Sequence, residues 1–370
     1  MYASNRTPCR DLRTLRLLLL AMGLGLALFL GSGAEASPAP LSPAGADARR
    51  PSVAVSTGVD IHVVWEQSGG IWHRWQRDGV WSDPQQIVPE GEDPVLAAGP
   101  GDIIYLAWSQ VFGGNFEVFA SRWDGSTWSP GQNVSSNGGG SATPALVVSP
   151  GGDVHLFWSD TTPGTATIYH AVSSDGLAWP SATPISAAQG LNPTAVFAPD
   201  GTLQLAWQHR AGFAAKNRIW TSTLQQSVWQ APVPLTDGSA HAISPRLASG
   251  PGQTLLTWQE GDGIRLAAWQ DGSWQILRSE TGRQPAIALT DNGFLYWAWS
   301  DGKELLARHR FHLWSQLSHW GQSAFGSGET DLTARGRQVY KVWTQNNGQN
   351  RQVYFDITAL GNTYLPSFFK

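Results

Sequence analysis

A tryptophan closes a short apolar run seven times in this chain, at Trp65, Trp108, Trp158, Trp207, Trp258, Trp299 and Trp343, with gaps of 43, 50, 49, 51, 41 and 44 residues. The same signals return around each one. A proline stands 14 residues earlier at Pro51, Pro94, Pro144, Pro193 and Pro285 and 13 earlier at Pro245, and a glycine lies six or seven residues before every one of the seven. A second tryptophan follows in the first six units, at Trp81, Trp128, Trp179, Trp229, Trp274 and Trp314. Residues 144–186 show the unit most fully: an apolar run, a Gly turn, a run ending in Trp158, a third run at Ile168 and Tyr169, and an Asp175-Gly176 turn before Trp179. That order reads as four strands joined by tight turns.

The second strands are apolar on both faces, as in Ile61, Val63 and Trp65 on one side and Val64 on the other, so they must be covered on both sides. A single four-stranded sheet cannot do this for itself, whereas repeated small sheets packed face to face in a ring can. The expected fold is therefore all-β, a seven-bladed β-propeller of four-stranded antiparallel blades, with blade cores near 51–89, 94–135, 144–186, 193–236, 245–279, 285–318 and 332–357. Small residues in the first strands (SVAVS, VLAAG, ALVVS, RLASG) suit the crowded positions nearest the axis. The last unit lacks a fourth strand. Leu41 lies 10 residues before Pro51, as Leu235 does before Pro245, so residues 37–42 are expected to supply it and close the ring. A rival for that slot is the segment 364–369.

Residues 1–36 read as a secretion signal: Arg6, Arg10, Arg13 and Arg16 precede a 14-residue apolar run, and Ala34-Glu35-Ala36 offers a small-x-small cleavage site before Ser37. Fourteen residues fall short of the roughly 20 that span a bilayer, so export rather than a stable membrane span is expected. The one cysteine, Cys9, lies in the leader, which leaves the mature chain without disulfide or thiolate chemistry. Without the leader 20 basic and 26 acidic residues remain, a formal charge of −6, with no basic run after Arg49-Arg50. No nucleic-acid footprint follows from such a balance. A monomer of one domain, residues 37–370, is the expectation.

Four units turn on Asp-Gly between strands three and four, at Asp78-Gly79, Asp124-Gly125, Asp175-Gly176 and Asp271-Gly272. Taken with the Pro, the Gly, the Trp and the Ser-Ser-Asp-Gly-Leu-Ala-Trp-Pro of the third unit, the layout resembles the bacterial-neuraminidase or Asp-box repeats of the sialidase-like superfamily. The box itself is degenerate, with Trp four residues after Asp124 and Asp175 and three after Asp78 and Asp271. The resemblance implies a propeller, and for a true sialidase an Arg-Ile-Pro motif, two further arginines, an Asp acid and a Tyr nucleophile paired with Glu. Arg49 in Arg49-Arg50-Pro51 matches the first arginine. The loop at 66–70 is too short for the acid-bearing segment, and Tyr105, Tyr296, Tyr340, Tyr169 and Tyr354 sit at repeat positions shared with apolar residues, which makes them core.

Glycosidase chemistry needs two carboxylates facing each other across a cleft. Glu66, Asp93, Asp160, Glu260, Asp262, Asp301 and Glu304 all fall in loops expected on one face, and no pair among them stands out. His62 with His155, and His73 with His170, share repeat positions and read as packing; His309, His312 and His319 lack ligand spacing, so neither metal nor cofactor is expected. A ring of polar positions repeats two residues past each second-strand Trp: Gln67, Gln110, Asp160, His209, Glu260, Asp301 and Gln345. These are the candidate ligand-binding residues, placed at the channel mouth near the long loops 208–217 and 159–166, with Asp160 and His209 expected outside the core. Two functions remain: a secreted, non-catalytic propeller that binds an extracellular glycan or protein ligand, or an exo-glycosidase of sialidase type.

Overall fold

The computed structural model describes residues 38–360, apart from Ala46, Phe213, His312, Gln322, Ala324 and Phe325. Among them all regular structure is strand, in seven antiparallel sheets taken in chain order, and no helix is long and apolar enough to cross a membrane. Blade 1 runs Ala48–Val55, Ile61–Gln67, Gly70–Arg77 and an outer strand split into Val80–Trp81 and Gln85–Val88. Blade 2 runs Glu92–Ala98, Ile104–Phe112, Asn115–Trp123 and Gln132–Asn133; blade 3 runs Ser141–Val148, Val154–Asp160, Thr167–Ser173 and Thr183–Gln189. Blade 4 runs Leu191–Phe197, Leu203–His209, Arg218–Gln225 and a second split outer strand, Val228–Trp229 and Val233–Pro234. Blade 5 (Ala242–Gly250, Gln253–Glu260, Gly263–Gln270, Ser273–Thr281) and blade 6 (Arg283–Leu289, Leu295–Ser300, Leu305–Arg310, Ser318–Trp320) complete the four-stranded set. Blade 7 has Ser327–Arg335, Gln338–Asn346 and Arg351–Ala359.

Each first strand lies against the first strands of both neighbouring blades, blade 7 against blade 1 included, so the ring is closed. The seven repeat tryptophans are all buried, and each core cluster joins residues of adjacent blades, as where Leu266 of blade 5 meets Trp297 and Trp299 of blade 6. A blade's apolar faces therefore exist only as interfaces, and full burial of large side chains of this kind is worth about 1.5 to 3 kcal/mol each.

The missing strand of blade 7 comes from the start of the described chain. Pro40 bridges Tyr354, the Leu41 amide donates to the Val353 carbonyl at 2.7 Å, and the Val353 amide donates to Ser42 Oγ at 3.0 Å. Leu41 is 4% exposed and shares a core cluster with Trp65 of blade 1 and Val342 of blade 7. Asp47 then fastens the junction by accepting from the Arg351 amide at 2.8 Å and from its guanidinium at 3.0 and 2.7 Å, contacts that hold its carboxyl well below the usual range. Both the rival segment 364–369 and the leader lie outside the described residues.

Two blade interfaces carry a repeated polar device. In blade 1 His73 Nδ1 accepts from Trp128 of blade 2 at 3.1 Å, which places its proton on Nε2, donated in turn to His62 Nδ1 at 3.1 Å. Blade 3 repeats it with Trp229 of blade 4, His170 and His155 at 3.4 and 3.0 Å. These histidines serve packing, and burial holds His62 down to about 4 and His170 down to about 3, with His73 and His155 lowered as well.

Two outcomes are expected. Leu41→Ala should lower the unfolding free energy by about 2 to 4 kcal/mol, measured by urea denaturation, because the closing contact is buried; a change below 0.5 kcal/mol would show that closure does not depend on this strand. An unfolded histidine binds a proton near 6.5, so as pH falls below that value the unfolded chain takes up protons that the native fold refuses. Stability should accordingly be lost between about pH 6.5 and 4, at up to roughly 1.4 kcal/mol per pH unit for each histidine, and melting curves of a His155→Asn, His170→Asn variant should show a shallower slope there than those of the parent.

Candidate functional site

Seven non-glycine residues, one per blade, hold positive φ at the same place: Arg50 (45°), Asp93 (53°), Thr143 (54°), Asn192 (52°), Ser244 (54°), Gln284 (52°) and Glu329 (45°). Each precedes the unit's proline, or Thr330 in blade 7, and each sits where the register between first and second strands shifts. These are β-bulges at the entry of the innermost strands, strained conformations that the surrounding structure must hold in place. Side chains of the preceding blade do so. The Arg50 amide donates to Glu329 at 3.1 Å, Asp93 to Glu66 at 2.6 Å, Thr143 to Ser109 at 3.2 Å, Asn192 to Thr143 at 3.4 Å, Gln284 to Gln259 at 3.3 Å and Glu329 to Gln284 at 3.4 Å. A circle of polar groups therefore surrounds one mouth of the central channel.

Its charge is concentrated in blades 7, 1 and 2. Arg50 binds Glu66 through Nη1 at 2.7 Å and Asp93 through Nε at 3.2 Å, with Glu92 at 3.9 Å, while Glu329 reaches Arg351 at 3.6 Å. Burial raises the Asp93 carboxyl, and the nearby Glu66 and Glu92 push the same way against the opposing effect of Arg50. Arg49, the residue at the sialidase-like arginine position, is half-exposed and bound to Asp47 at 2.7 Å, a carboxylate it shares with Arg351. Blades 3 to 6 contribute neutral groups, Thr143, Asn192, Ser244 and Gln284. Among the described residues no three His, Cys, Asp or Glu side chains are arranged to hold a metal ion.

Two residues past the bulge, a second tier of first-strand side chains repeats the device in three blades. The amide of Val53 donates to Asp331 at 3.0 Å, that of Leu96 to Ser52 at 3.1 Å and that of Leu247 to Thr194 at 3.3 Å, each from one blade to the preceding one. Arg246 occupies this tier in blade 5. At the opposite ends of the first strands of blades 3 to 5 lies a cavity of about 400 Å³ lined by residues such as Val147, Val196, Phe197 and Ser249.

The ring expected from the sequence sits close by but has a different job. Gln67, Gln110, Asp160 and Gln345 accept the indole N–H of Trp65, Trp108, Trp158 and Trp343 at 2.9, 3.0, 3.1 and 3.3 Å. Side chains two apart on a strand point the same way, so each lies on the buried face beside its tryptophan. Asp160, expected outside the core, is fully buried and also binds Asn137 at 2.6 Å and Ser141 at 2.8 Å; burial alone would raise its carboxyl, but these bonds and those from Thr162 bring it below the usual value. His209 is bonded to the Gln189 carbonyl and packed on Trp220, Glu260 binds Arg265 at 3.2 Å, and Asp301 accepts the Lys303 and Glu304 amides of its own turn at 2.8 and 2.9 Å. Where Glu260 and Asp301 are so engaged, Trp258 and Trp299 keep unpartnered indole N–H groups. Gln110 also lines a cavity of about 270 Å³ beside Trp108, Phe119 and Val88. Of the loop carboxylates, the structure brings Glu66 and Asp93 together. Sequence reasoning missed Arg50, Glu329, Arg351, Arg246 and Asp331; the available signal was the residue one past each Trp (Glu66, Ser109, Ser159, Gln208, Gln259, Ser300, Thr344), polar in every unit and on the opposite face.

The fold is shared with solved propeller structures at low sequence identity. An ulvan lyase, a polysaccharide lyase solved bound to -[GlcA(1-4)Rha3S]-, superposes with a TM-score of 0.59 at 9% identity, covering 85% of this chain and 94% of its own. The α-L-arabinanase of Penicillium chrysogenum, solved with arabinobiose, gives 0.52 at 12% identity over 87% of this chain and 98% of its own. The Trypanosoma rangeli sialidase gives 0.51 at 10% identity over 76% of this chain and 56% of its own. No protein-family model matches the chain, and no curated protein sequence matches it. At such identities the likeness is one of fold, and function must come from the site.

The buried role of Asp160 has a direct consequence. Asp160→Ala should lower the unfolding free energy by about 2 to 4 kcal/mol in urea, since it orphans Trp158, Asn137 and Ser141, whereas Asp160→Asn should retain most of the stability. An alanine variant that melts like the parent would return Asp160 to the surface role expected from its position in the repeat.

Proposed function

We propose that this chain is an exported saccharide-binding propeller whose ligand docks on the mouth ring formed by Arg50, Asp93, Thr143, Asn192, Ser244, Gln284 and Glu329. The observation that carries the reading is the ring itself: strained bulges hold seven polar side chains in a fixed circle, and a rigid array of donors and acceptors is what hydroxyl-rich ligands need. Exposed Val111, Phe112 and Phe116 on the blade 2 hairpin add an apolar platform near the same end of the blade, suited to the C–H faces of a sugar. The shared fold of a lyase, an arabinanase and a sialidase is consistent with a carbohydrate ligand. Export rests on the leader-like residues 1–36.

A specific pair favours a second reading as a glycoside hydrolase. Glu66 and Asp93 share one guanidinium, and burial keeps the Asp93 carboxyl raised, the state required of a general acid, beside a second carboxylate. Arg50 engages both, which suits holding a ligand better than cycling protons, so binding is preferred.

A glycan array followed by calorimetry on the strongest hits tests the proposal. Asp93→Asn and Asn192→Ala, two blades apart on the ring, should each weaken binding by about tenfold or more while the melting temperature stays within a few degrees. If no glycan binds, or both variants bind like the parent, the mouth is not the site. Under the hydrolase reading, reducing ends should appear on incubation with the bound glycan, and Asp93→Asn should abolish that release.

A further inference from the structure

Of the six bulge amides accepted by a side chain of the preceding blade, four go to neutral groups: Thr143 to Ser109, Asn192 to Thr143, Gln284 to Gln259 and Glu329 to Gln284. The other two go to carboxylates, and each carboxylate is held in turn by an arginine. Glu66 Oε1 takes both the Asp93 amide at 2.6 Å and Arg50 Nη1 at 2.7 Å. Glu329 presents Oε2 to the Arg50 amide at 3.1 Å and Oε1 to Arg351 Nη1 at 3.6 Å.

The line of contacts continues past Arg351. Its Nε and Nη2 donate to the two oxygens of Asp47 at 3.0 and 2.7 Å, and its amide donates to Oδ1 at 2.8 Å. Asp47 lies in the short stretch that leads from the closing contacts of Leu41 and Ser42 into the first strand of blade 1, and Arg49 adds a second guanidinium to it at 2.7 Å. Hydrogen bonds and ion pairs therefore run without a gap through Asp47, Arg351, Glu329, Arg50, Glu66 and Asp93, from the closure of the ring to its mouth. An arginine held by a carboxylate on two of its nitrogens presents the third in a set direction, because the guanidinium is a rigid planar fork. Each pair is partly exposed, so taken singly it contributes little to stability. What the line supplies is position: a left-handed bulge keeps its geometry only where its surroundings impose it.

We infer that Asp47 and Arg351 are positioning residues of the mouth: by fixing Glu329 they hold the Arg50 bulge and, through Arg50, the Glu66 and Asp93 pair, so that the mouth takes its binding geometry only when the closing strand is docked. The docked and undocked strand are the two states that such coupling requires. The inference rests on the saccharide-binding reading for its functional meaning and names what regulates that site, whereas its test reads the mouth without a saccharide.

Nuclear magnetic resonance follows the Asp93 carboxyl and the Arg50 amide in the mature chain and in Asp47→Asn. Burial raises the Asp93 carboxyl and Arg50 opposes the rise, so a displaced Arg50 lets the titration midpoint climb. Charge alone acts the other way, since removing the negative Asp47 favours an ionised Asp93 and lowers the midpoint. In Asp47→Asn the midpoint should rise by about 0.3 pH unit or more. Hydrogen exchange at the Arg50 amide should quicken about fivefold or more, while exchange at the Asn192 amide of blade 4 stays as in the parent. With Arg351→Gln the line is already cut, and adding Asp47→Asn to that variant should raise the midpoint no further. Should Asp47→Asn fail to fold, Asp47→Glu takes its place: it keeps the charge, misplaces the carboxylate and should move the midpoint upward too. A midpoint that falls or does not move, or exchange that quickens equally at Asn192, overturns the positioning role. If it is overturned while Asp93→Asn still weakens glycan binding, the mouth stands without this link; if the midpoint rises but no arrayed glycan binds, the link stands and the saccharide reading falls.

Discussion

Each blade is a sheet with two apolar faces and no means of covering either. Burial of the seven repeat tryptophans depends on the adjacent blade, and that blade depends on the next, so the stabilising interaction is collective and complete only when the ring closes. Closure here is made by Leu41 beside Val353 and by Asp47 on Arg351, residues about three hundred positions apart in the chain. Covering the faces also traps polar atoms. In four of the seven repeats Gln67, Gln110, Asp160 and Gln345 accept the buried indole N–H from two residues further along the same strand.

The channel follows from the same geometry. First strands converge on the axis, and every blade enters there on a left-handed bulge, whose amide in six of the seven is donated to a side chain of the preceding blade. Architecture therefore fixes where polar side chains must stand, while their identity is left free. Blades 3 to 6 use that freedom for neutral groups at the mouth; blades 7, 1 and 2 use it for Glu329, Arg50, Glu66 and Asp93. The proposed recognition chemistry falls where the scaffold is rigid and the requirement on side-chain type is weakest.

The difference between the expected ring and the observed one is a single residue. Choosing the position two past the tryptophan selects the face that the tryptophan itself buries; choosing the position one past it selects the face toward the following blade, where Glu66, Ser109 and Gln259 hold that blade's bulge. Both positions are polar in all seven units, so polarity alone does not separate them. What separates them is the period of two along a strand combined with knowledge of which face is covered, and both faces of these strands are.

The sequence by itself determined the number of blades, the order of strands, the buried tryptophans and the use of residues near Leu41 as the closing strand, because these are set by local patterns of apolar residues and turns repeated seven times. Histidines 62, 73, 155 and 170 were legible as packing for the same reason: they recur at equivalent positions. Tertiary structure alone decided which charges meet. Arg50 finds Asp93 across a blade boundary, and Arg351 finds Asp47 from about three hundred residues away in the chain. Such pairings occur once each rather than seven times, and they arise from closing a ring, an operation that brings together residues whose separation along the chain carries no record of it.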